Sequence, residues 1–116
     1  MPDDNQSSVP ASFIALFVPA GRVKPSESRA HISARYEFCE DLAEMLTEHA
    51  STKLFELGVH ETDVLERMFQ GLVADASVVN ADEAWWVVHR LAELLAWPAP
   101  GPAVARVGTL VPARPA

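Results

Sequence analysis

The sequence is short of cysteine and of long apolar runs, and each shortage excludes a class of protein. Cys39 is the single cysteine, so no disulfide can form within the chain, and a cytoplasmic location is the natural expectation. No apolar run approaches the roughly 20 residues that span a bilayer, so no transmembrane helix is predicted. Residues 1–8 are polar and acidic, and they lack the basic start and apolar stretch of a secretory signal.

Positive charge is also scarce. Nine Lys and Arg residues stand against 16 Asp and Glu residues, and the formal net charge is -7. Residues 98–116 contain Arg106 and Arg114 and no acid, so subtracting these two positive charges from the total leaves -9 on residues 1–97. Such a domain repels phosphate backbones and anionic lipid headgroups. We therefore expect the protein to bind neither nucleic acid nor membranes.

The five glycines are scattered and form no phosphate-binding loop. The patterns G-x-x-x-x-G-K-[ST], G-x-G-x-x-G, G-x-S-x-G and H-E-x-x-H are all absent. The four histidines, at positions 31, 49, 60 and 89, do not have the spacing of metal ligands. The sequence therefore offers no catalytic residue, and we expect no cofactor and no metal.

Hydrophobic residues are plentiful, at 49% of 116 positions, enough for one domain with a modest core. From about Ser28, apolar residues recur at three- and four-residue steps and predict a long helix ending at Gly58. This stripe consists of Ile32, Tyr36, Cys39, Leu42, Ala43, Leu46, Ala50, Leu54 and Leu57. Phe55 would fall on the polar face of a straight helix, which suggests an interruption at Ser51 and Thr52.

Three further segments carry helical signals. Residues 60–74 have an apolar face of Val64, Leu65, Met68 and Leu72. Residues 80–97 begin with the Asn80 and Glu83 of a capping box and are closed by Pro98. Residues 10–18 form a short apolar run whose flanking prolines favour a short helix over a buried strand.

These elements predict an all-α fold, a small antiparallel helical bundle of three main helices plus a short N-terminal one. The helical domain would span residues 10–97. We expect residues 1–9 to be disordered and residues 98–116 to form a flexible, extended tail rich in Pro and Ala. The structural alternative is an N-terminal strand paired with residues 104–111.

The last predicted helix carries three tryptophans that cannot all face one core. At about 100° per residue, Ala84, Val88, Leu91 and Leu95 define its buried side, and Trp85 lies at the edge of that side. Trp86 points almost directly opposite and shares its stripe with Asp82, Arg90, Glu93 and Trp97.

An indole on a polar helix face needs a cover, because full exposure is unfavourable. The guanidinium of Arg90, one turn away, could lie over the ring of Trp86. Further cover could come from the Pro-rich tail, which would also fold over Trp97, or from the N-terminal segment. The other two alternatives are a protein partner, including a second copy, and a small-molecule groove.

The long helix has a second stripe made of carboxylates. Glu37, Asp41, Glu44 and Glu48 project from one side, with Glu40 beside them. They could bind a basic partner or a divalent metal, but like charges one turn apart favour a solvated face.

Two residues near the start of the long helix have specific expected environments. Cys39 lies on the apolar stripe, so we predict a buried, inert thiol. Arg35 points toward the same side, and we expect it to reach an acidic residue of another helix or to extend to solvent.

The stretches SFIALFVPAGR, ARYEFCEDLAEML, ELGVHETDVLERM and AWWVVHRLAELLAW together resemble small uncharacterised helical proteins of proteobacteria, some labelled chaperone-associated ATPases. The similarity spans about residues 10–97. It is one of overall pattern, so it transfers no functional residue. It implies a cytoplasmic bacterial accessory protein, whereas the missing nucleotide loop argues against ATPase activity.

The leading hypothesis is a non-enzymatic interaction module. Its contact surface would be Trp86, Arg90, Glu93 and Trp97, an aromatic anchor with a charged rim. The alternative is a small-molecule- or metal-binding helical protein. It would use the acidic stripe or a pocket between helices lined by Tyr36, His49, Trp85 and His89.

Overall fold

The computed structural model describes residues 9–100 and contains helices but no strand within that range. The elements are α1 (Ala11–Ile14), which continues into a 3-10 turn (Ala15–Phe17), then α2 (Arg29–Leu57), α3 (Glu61–Val73) and α4 (Ala81–Leu95). The all-α prediction is confirmed, and residues 11–17 are helical as the flanking prolines indicated. The predicted tails lie almost wholly outside the described residues.

Helix α2 is one unbroken helix of 29 residues. It begins where the Ser28 hydroxyl accepts a hydrogen bond from the His31 amide, and it ends at Gly58 in the left-handed conformation. The interruption suggested at Ser51 and Thr52 is wrong. Ala50 and Leu54 on either side of this pair both pack against the core, which holds the helix in register, and Phe55 is left 89% exposed.

Helix α4 has defined stops at both ends. The Asn80 side chain accepts the Glu83 amide at 2.8 Å, and the Glu83 carboxylate accepts the Asn80 amide at 3.0 Å, so the predicted capping box is confirmed. At the other end Ala96 adopts the left-handed conformation, with φ 59°. The Trp97 amide donates to the Ala92 carbonyl at 2.8 Å, and the Ala96 amide donates to the Glu93 carbonyl, which together form a Schellman motif.

The three long helices run up, down and up. Arg35 of α2 pairs with Glu83 of α4, and Glu40 pairs with Arg90, so residue numbers rise together and these two helices are parallel. Helix α3 runs antiparallel to both, with Phe69 against Trp85 near the start of α4. Helices adjacent in sequence are therefore antiparallel, as the short connections require. No helix among the described residues is long and apolar enough to cross a bilayer.

The core consists of two clusters that share α4. The first combines Phe13 of α1 with residues of α2 and α4, and the second joins α2, α3 and the later half of α4. The buried members of the second cluster are Ala50, Val64, Leu65, Val88, Leu91 and Ala92. Phe13 is fully buried, so α1 is an integral part of the first cluster although it has only four residues.

Candidate interaction groove

The ring of Trp86 is covered on one side by the N-terminal segment. Its Nε1 donates a hydrogen bond to the Ser12 hydroxyl at 3.0 Å. The ring also makes edge-to-face contacts with Phe13, at 5.0 Å between centroids, and with Tyr36, at 5.7 Å. Among the covers considered from sequence, the structure shows this one within the described residues. The Pro-rich segment from residue 101 onward lies outside them.

The remaining face of Trp86 borders a groove of about 500 Å³ between the N-terminal segment and α4. Its lining consists of Pro10, Ser12, Leu16, Tyr36, Asp82, Trp85, Trp86, His89, Arg90 and Glu93. The groove thus brings together three of the four residues predicted for partner contact and three of the four predicted for an inter-helix pocket. The two hypotheses drawn from the sequence meet at one site.

Two predicted residues lie elsewhere. Trp97 directly follows the left-handed Ala96 and packs against the second core cluster, which includes Ala92. A hydrophobic contact of this kind commonly accompanies a Schellman motif, and it accounts for an apolar residue at this position. His49 borders a separate groove of about 420 Å³ between α2 and α3, together with Lys53 and Arg67.

The charged rim of the groove is organised around Arg90. Its guanidinium donates three hydrogen bonds to Glu40, from Nε at 2.9 and 3.1 Å and from Nη2 at 2.8 Å, and one from Nη1 to Glu93 at 3.0 Å. These hydrogen bonds, chiefly those to Glu40, raise the pKa of Arg90 above its ordinary value. The guanidinium is directed by carboxylates, whereas the sequence suggested stacking on Trp86. Glu40 and Glu93 place two carboxylates against this one guanidinium, which leaves one negative charge in excess.

Trp85 supplies an uncommitted donor in the groove wall. Its ring packs edge-on against Phe69 at 4.9 Å and His89 at 5.2 Å. Its Nε1 is buried and has no acceptor among the described residues. A buried donor left without an acceptor costs about 1–3 kcal/mol.

The acidic stripe of α2 is separate from the groove. Glu37, Asp41, Glu44 and Glu48 are all exposed, as expected for a solvated face. Within residues 9–100, no grouping of three or more His, Cys, Asp or Glu side chains has the geometry to hold a metal ion. Glu40, beside the stripe, instead accepts hydrogen bonds from Arg90.

An ion pair between residues that do not line the groove joins α2 to the start of α4. Arg35 donates from Nε and Nη2 to the two oxygens of Glu83, at 2.8 and 2.9 Å, so the prediction of an acidic partner in another helix is confirmed. Its Nη2 also donates to the Val78 carbonyl. Burial alone would raise the pKa of Glu83, but the bonds from Arg35 and from the Asn80 amide lower it below its ordinary value.

Cys39 is buried, as predicted. Burial is the main cause that raises the pKa of its thiol to about 12, and the nearby Glu83 adds to the effect. Because the thiolate is the reactive form, this cysteine is inert at neutral pH. It therefore contributes packing and no chemistry.

The sequence suggests the N-terminal segment as one cover for Trp86, but it does not identify Pro10, Ser12 and Leu16 as walls of a groove. Each belongs to the apolar 10–18 run, whose docking position depends on contacts with residues far along the chain. Fold and groove together define a small all-α protein with one aromatic-walled cleft along its last helix. Comparisons of the chain with protein-family models, curated proteins and solved structures give no match.

Proposed function

We propose that the protein is a non-enzymatic interaction module whose groove binds a short extended segment of a partner protein. The observation that carries the proposal is the clustering of Tyr36, Trp85 and Trp86 around one open cleft with a charged rim. Aromatic-lined grooves of this type suit polyproline-like segments, which are already extended and lose little entropy on binding.

The donors and charges of the groove narrow the partner's chemistry. A polyproline-like backbone has no internal hydrogen bonds, so its carbonyl oxygens are free to accept from donors of a binding groove. The excess of carboxylates at the rim favours a segment that carries Arg or Lys. We therefore expect a proline-containing, basic, otherwise apolar peptide segment.

The test is a binding screen of the full chain against an array of proline-containing peptides, each paired with a version in which Arg is replaced by Glu. We expect binding to the arginine versions and loss of binding to the glutamate versions. Trp86→Ala should weaken binding at least tenfold, whereas Phe55→Ala, which removes an exposed aromatic on α2, should leave it unchanged.

A second variant keeps this test decisive if Trp86→Ala unfolds. Glu93 is 69% exposed at the rim, so Glu93→Lys alters the charge of the groove with little effect on the fold. We expect it to weaken binding of the arginine peptides. Equal binding of arginine and glutamate peptides to the native chain would contradict the proposal.

A small-molecule ligand is the second candidate, and the size of the groove favours it. A volume of about 500 Å³ lies within the range of drug-sized ligand pockets, and the walls combine aromatic rings with a few polar groups. A thermal-shift screen tests this candidate, because a ligand that binds the folded state raises Tm by mass action. A shift that disappears in Trp86→Ala would favour this candidate over the peptide-binding module.

The resemblance noted in the sequence suggests a setting for this module. We propose a bacterial accessory protein, and the buried lone thiol of Cys39 suits a reducing compartment such as the cytoplasm. Nucleotide hydrolysis is no part of the proposal, since the chain has no phosphate-binding loop.

A further inference from the structure

We infer that the chain's own residues 101–116 occupy the groove and compete with the partner segment. This inference rests on the proposed function, because it assigns a second, internal ligand to the same cleft. Three observations support it: where the segment starts, how far it reaches, and how its composition matches the groove.

The segment follows one end of the groove closely in sequence. Glu93 lines the groove two residues before the end of α4 at Leu95. The left-handed Ala96 then ends the helix, and Trp97 packs on the second core cluster. Residue 101 therefore comes eight positions after a residue that lines the groove.

The reach is sufficient. Along α4 the groove extends from Glu93 to Asp82, about 16 Å at the rise of an α-helix. A stretch of 16 residues in polyproline-like conformation spans about 50 Å. A stretch of 16 residues is therefore long enough to cover the length of the groove.

The composition matches what the groove favours. The sequence of residues 101–116, GPAVARVGTLVPARPA, contains three prolines, four larger aliphatic residues, Arg106 and Arg114, and no acid. The groove offers aromatic walls and, at its rim, two carboxylates against one guanidinium, an excess of one negative charge. Charge and apolar character are therefore complementary, within a chain whose first 97 residues carry a net charge of -9.

Tethering makes the internal ligand effective even when its intrinsic affinity is weak. A segment linked directly to its site acts at an effective concentration in the millimolar range. A free partner segment then binds only after the tether has been displaced, which reduces its apparent affinity. The groove would thus distinguish strong partners from weak ones.

The test is contact quenching of a bimane fluorophore by tryptophan, in the full chain. The label is attached through Leu110→Cys, and the buried Cys39 thiol does not react under native conditions. We expect strong quenching that falls at least twofold when Trp86→Phe is added and that weakens as salt is raised. A label attached through Val23→Cys, at a position 90% exposed in the α1–α2 connection, is the control and should be unaffected by Trp86→Phe.

Dilution separates the internal segment from that of a second copy. Quenching that is constant over a hundredfold dilution supports the inference, and quenching that disappears on dilution overturns it in favour of self-association. Quenching that is unchanged by Trp86→Phe also overturns it.

The peptide screen separates failure of this inference from failure of the proposed function. In the full chain, Arg106→Glu combined with Arg114→Glu should relieve the quenching and tighten binding of the arginine peptides by about tenfold, or 1.4 kcal/mol. Peptide binding without quenching would leave the proposed function standing and remove the internal ligand. Quenching without peptide binding would support the internal ligand and contradict the proposed function.

Discussion

At the scale of single residues, Glu83 has an unusual environment for a charged side chain. It is the one charged residue that is buried within residues 9–100, at 4% exposure. Its carboxylate holds the Arg35 guanidinium and also accepts the Asn80 amide at the start of α4. One side chain therefore both caps a helix and joins it to α2, so its loss affects local and tertiary structure together.

The variant Glu83→Gln separates the charge from the cap. Glutamine can still accept the Asn80 amide, but it leaves the Arg35 guanidinium without a counter-charge, so we expect a loss of about 3 kcal/mol in unfolding free energy. Urea denaturation at neutral pH measures the difference. The matched control is Glu93→Gln, which removes an exposed partner of Arg90 and should change stability by about 0.5 kcal/mol or less. Equal effects of the two variants would contradict this account of the pair.

The same pair predicts the direction of a pH effect. The pKa of Glu83 is lower in the folded chain than its ordinary value of 4.5, so its contribution to stability is complete above about pH 4.5. That contribution is lost as the pH falls through the lower, folded-state pKa. The stability difference between the native chain and Glu83→Gln should therefore shrink on acidification below pH 4.5, as measured by urea denaturation at a series of pH values. A constant difference down to pH 2 would exclude this explanation.

At the scale of elements, α2 and α4 end in the same backbone conformation but with different residues. Both helices stop at a left-handed residue, Gly58 with φ 63° and Ala96 with φ 59°. Glycine adopts this conformation without strain, whereas a residue with Cβ is strained by about 1 kcal/mol. Helix α4 thus carries strain at its C-terminal end, three residues after Glu93 of the groove.

A reciprocal pair of substitutions tests this difference. We expect Ala96→Gly to stabilise the protein by about 0.5–1 kcal/mol, because relief of strain exceeds the added entropy of the unfolded chain. Gly58→Ala should destabilise it by about 1 kcal/mol for the opposite reason. Urea midpoints of the two variants provide the measurement. Shifts of the same sign would show that backbone strain does not govern these positions.

Helix caps and periodicity were the parts of the fold that local sequence could predict. The Asn80–Glu83 capping box and the Gly58 stop depend on residues a few positions apart, and both were found where expected. The suggested break near Ser51 is wrong because Phe55 is exposed on the surface of a regular, unbroken helix. A long helix tolerates one exposed aromatic when its opposite face stays buried, which only the tertiary packing reveals.

At the scale of the whole molecule, α1 matters more than its four residues suggest. Phe13 is fully buried and contacts Phe17, Tyr36 and Trp86, so it connects the N-terminal segment to both α2 and α4. The groove has one wall from this segment and one from α4. Stability of the first core cluster and integrity of the groove therefore depend on the same side chain.

Truncation of this side chain should show both effects. We expect Phe13→Ala to lower the unfolding free energy by about 3–5 kcal/mol, as for other buried phenylalanines, and to increase solvent quenching of Trp86 fluorescence. Phe55→Ala, at an 89% exposed position, should change stability by about 0.5 kcal/mol or less. A mild effect of Phe13→Ala would mean that α1 is dispensable for the core.

The candidate groove depends on contacts that cannot be predicted from the sequence alone. Helical geometry identified Trp86, Arg90 and Glu93 as neighbours because they share one face of one helix. The opposite wall depends on a hydrogen bond between Trp86 and Ser12, which lie 74 positions apart. The Glu40 partner of Arg90 lies 50 positions away. No local pattern encodes such distances, so the cleft became visible only when the helices were packed.

The sharing of α4 between both core clusters has a consequence for biosynthesis. Neither cluster is complete until residues 84–92 have left the ribosome, because each takes part of its buried side chains from that stretch. Translation delivers about 5–20 residues per second, so α1 and α2 wait several seconds with their apolar faces open. Over that interval these apolar faces lack their partner helix, and we expect the chain to acquire its native packing only after residues 84–92 have emerged.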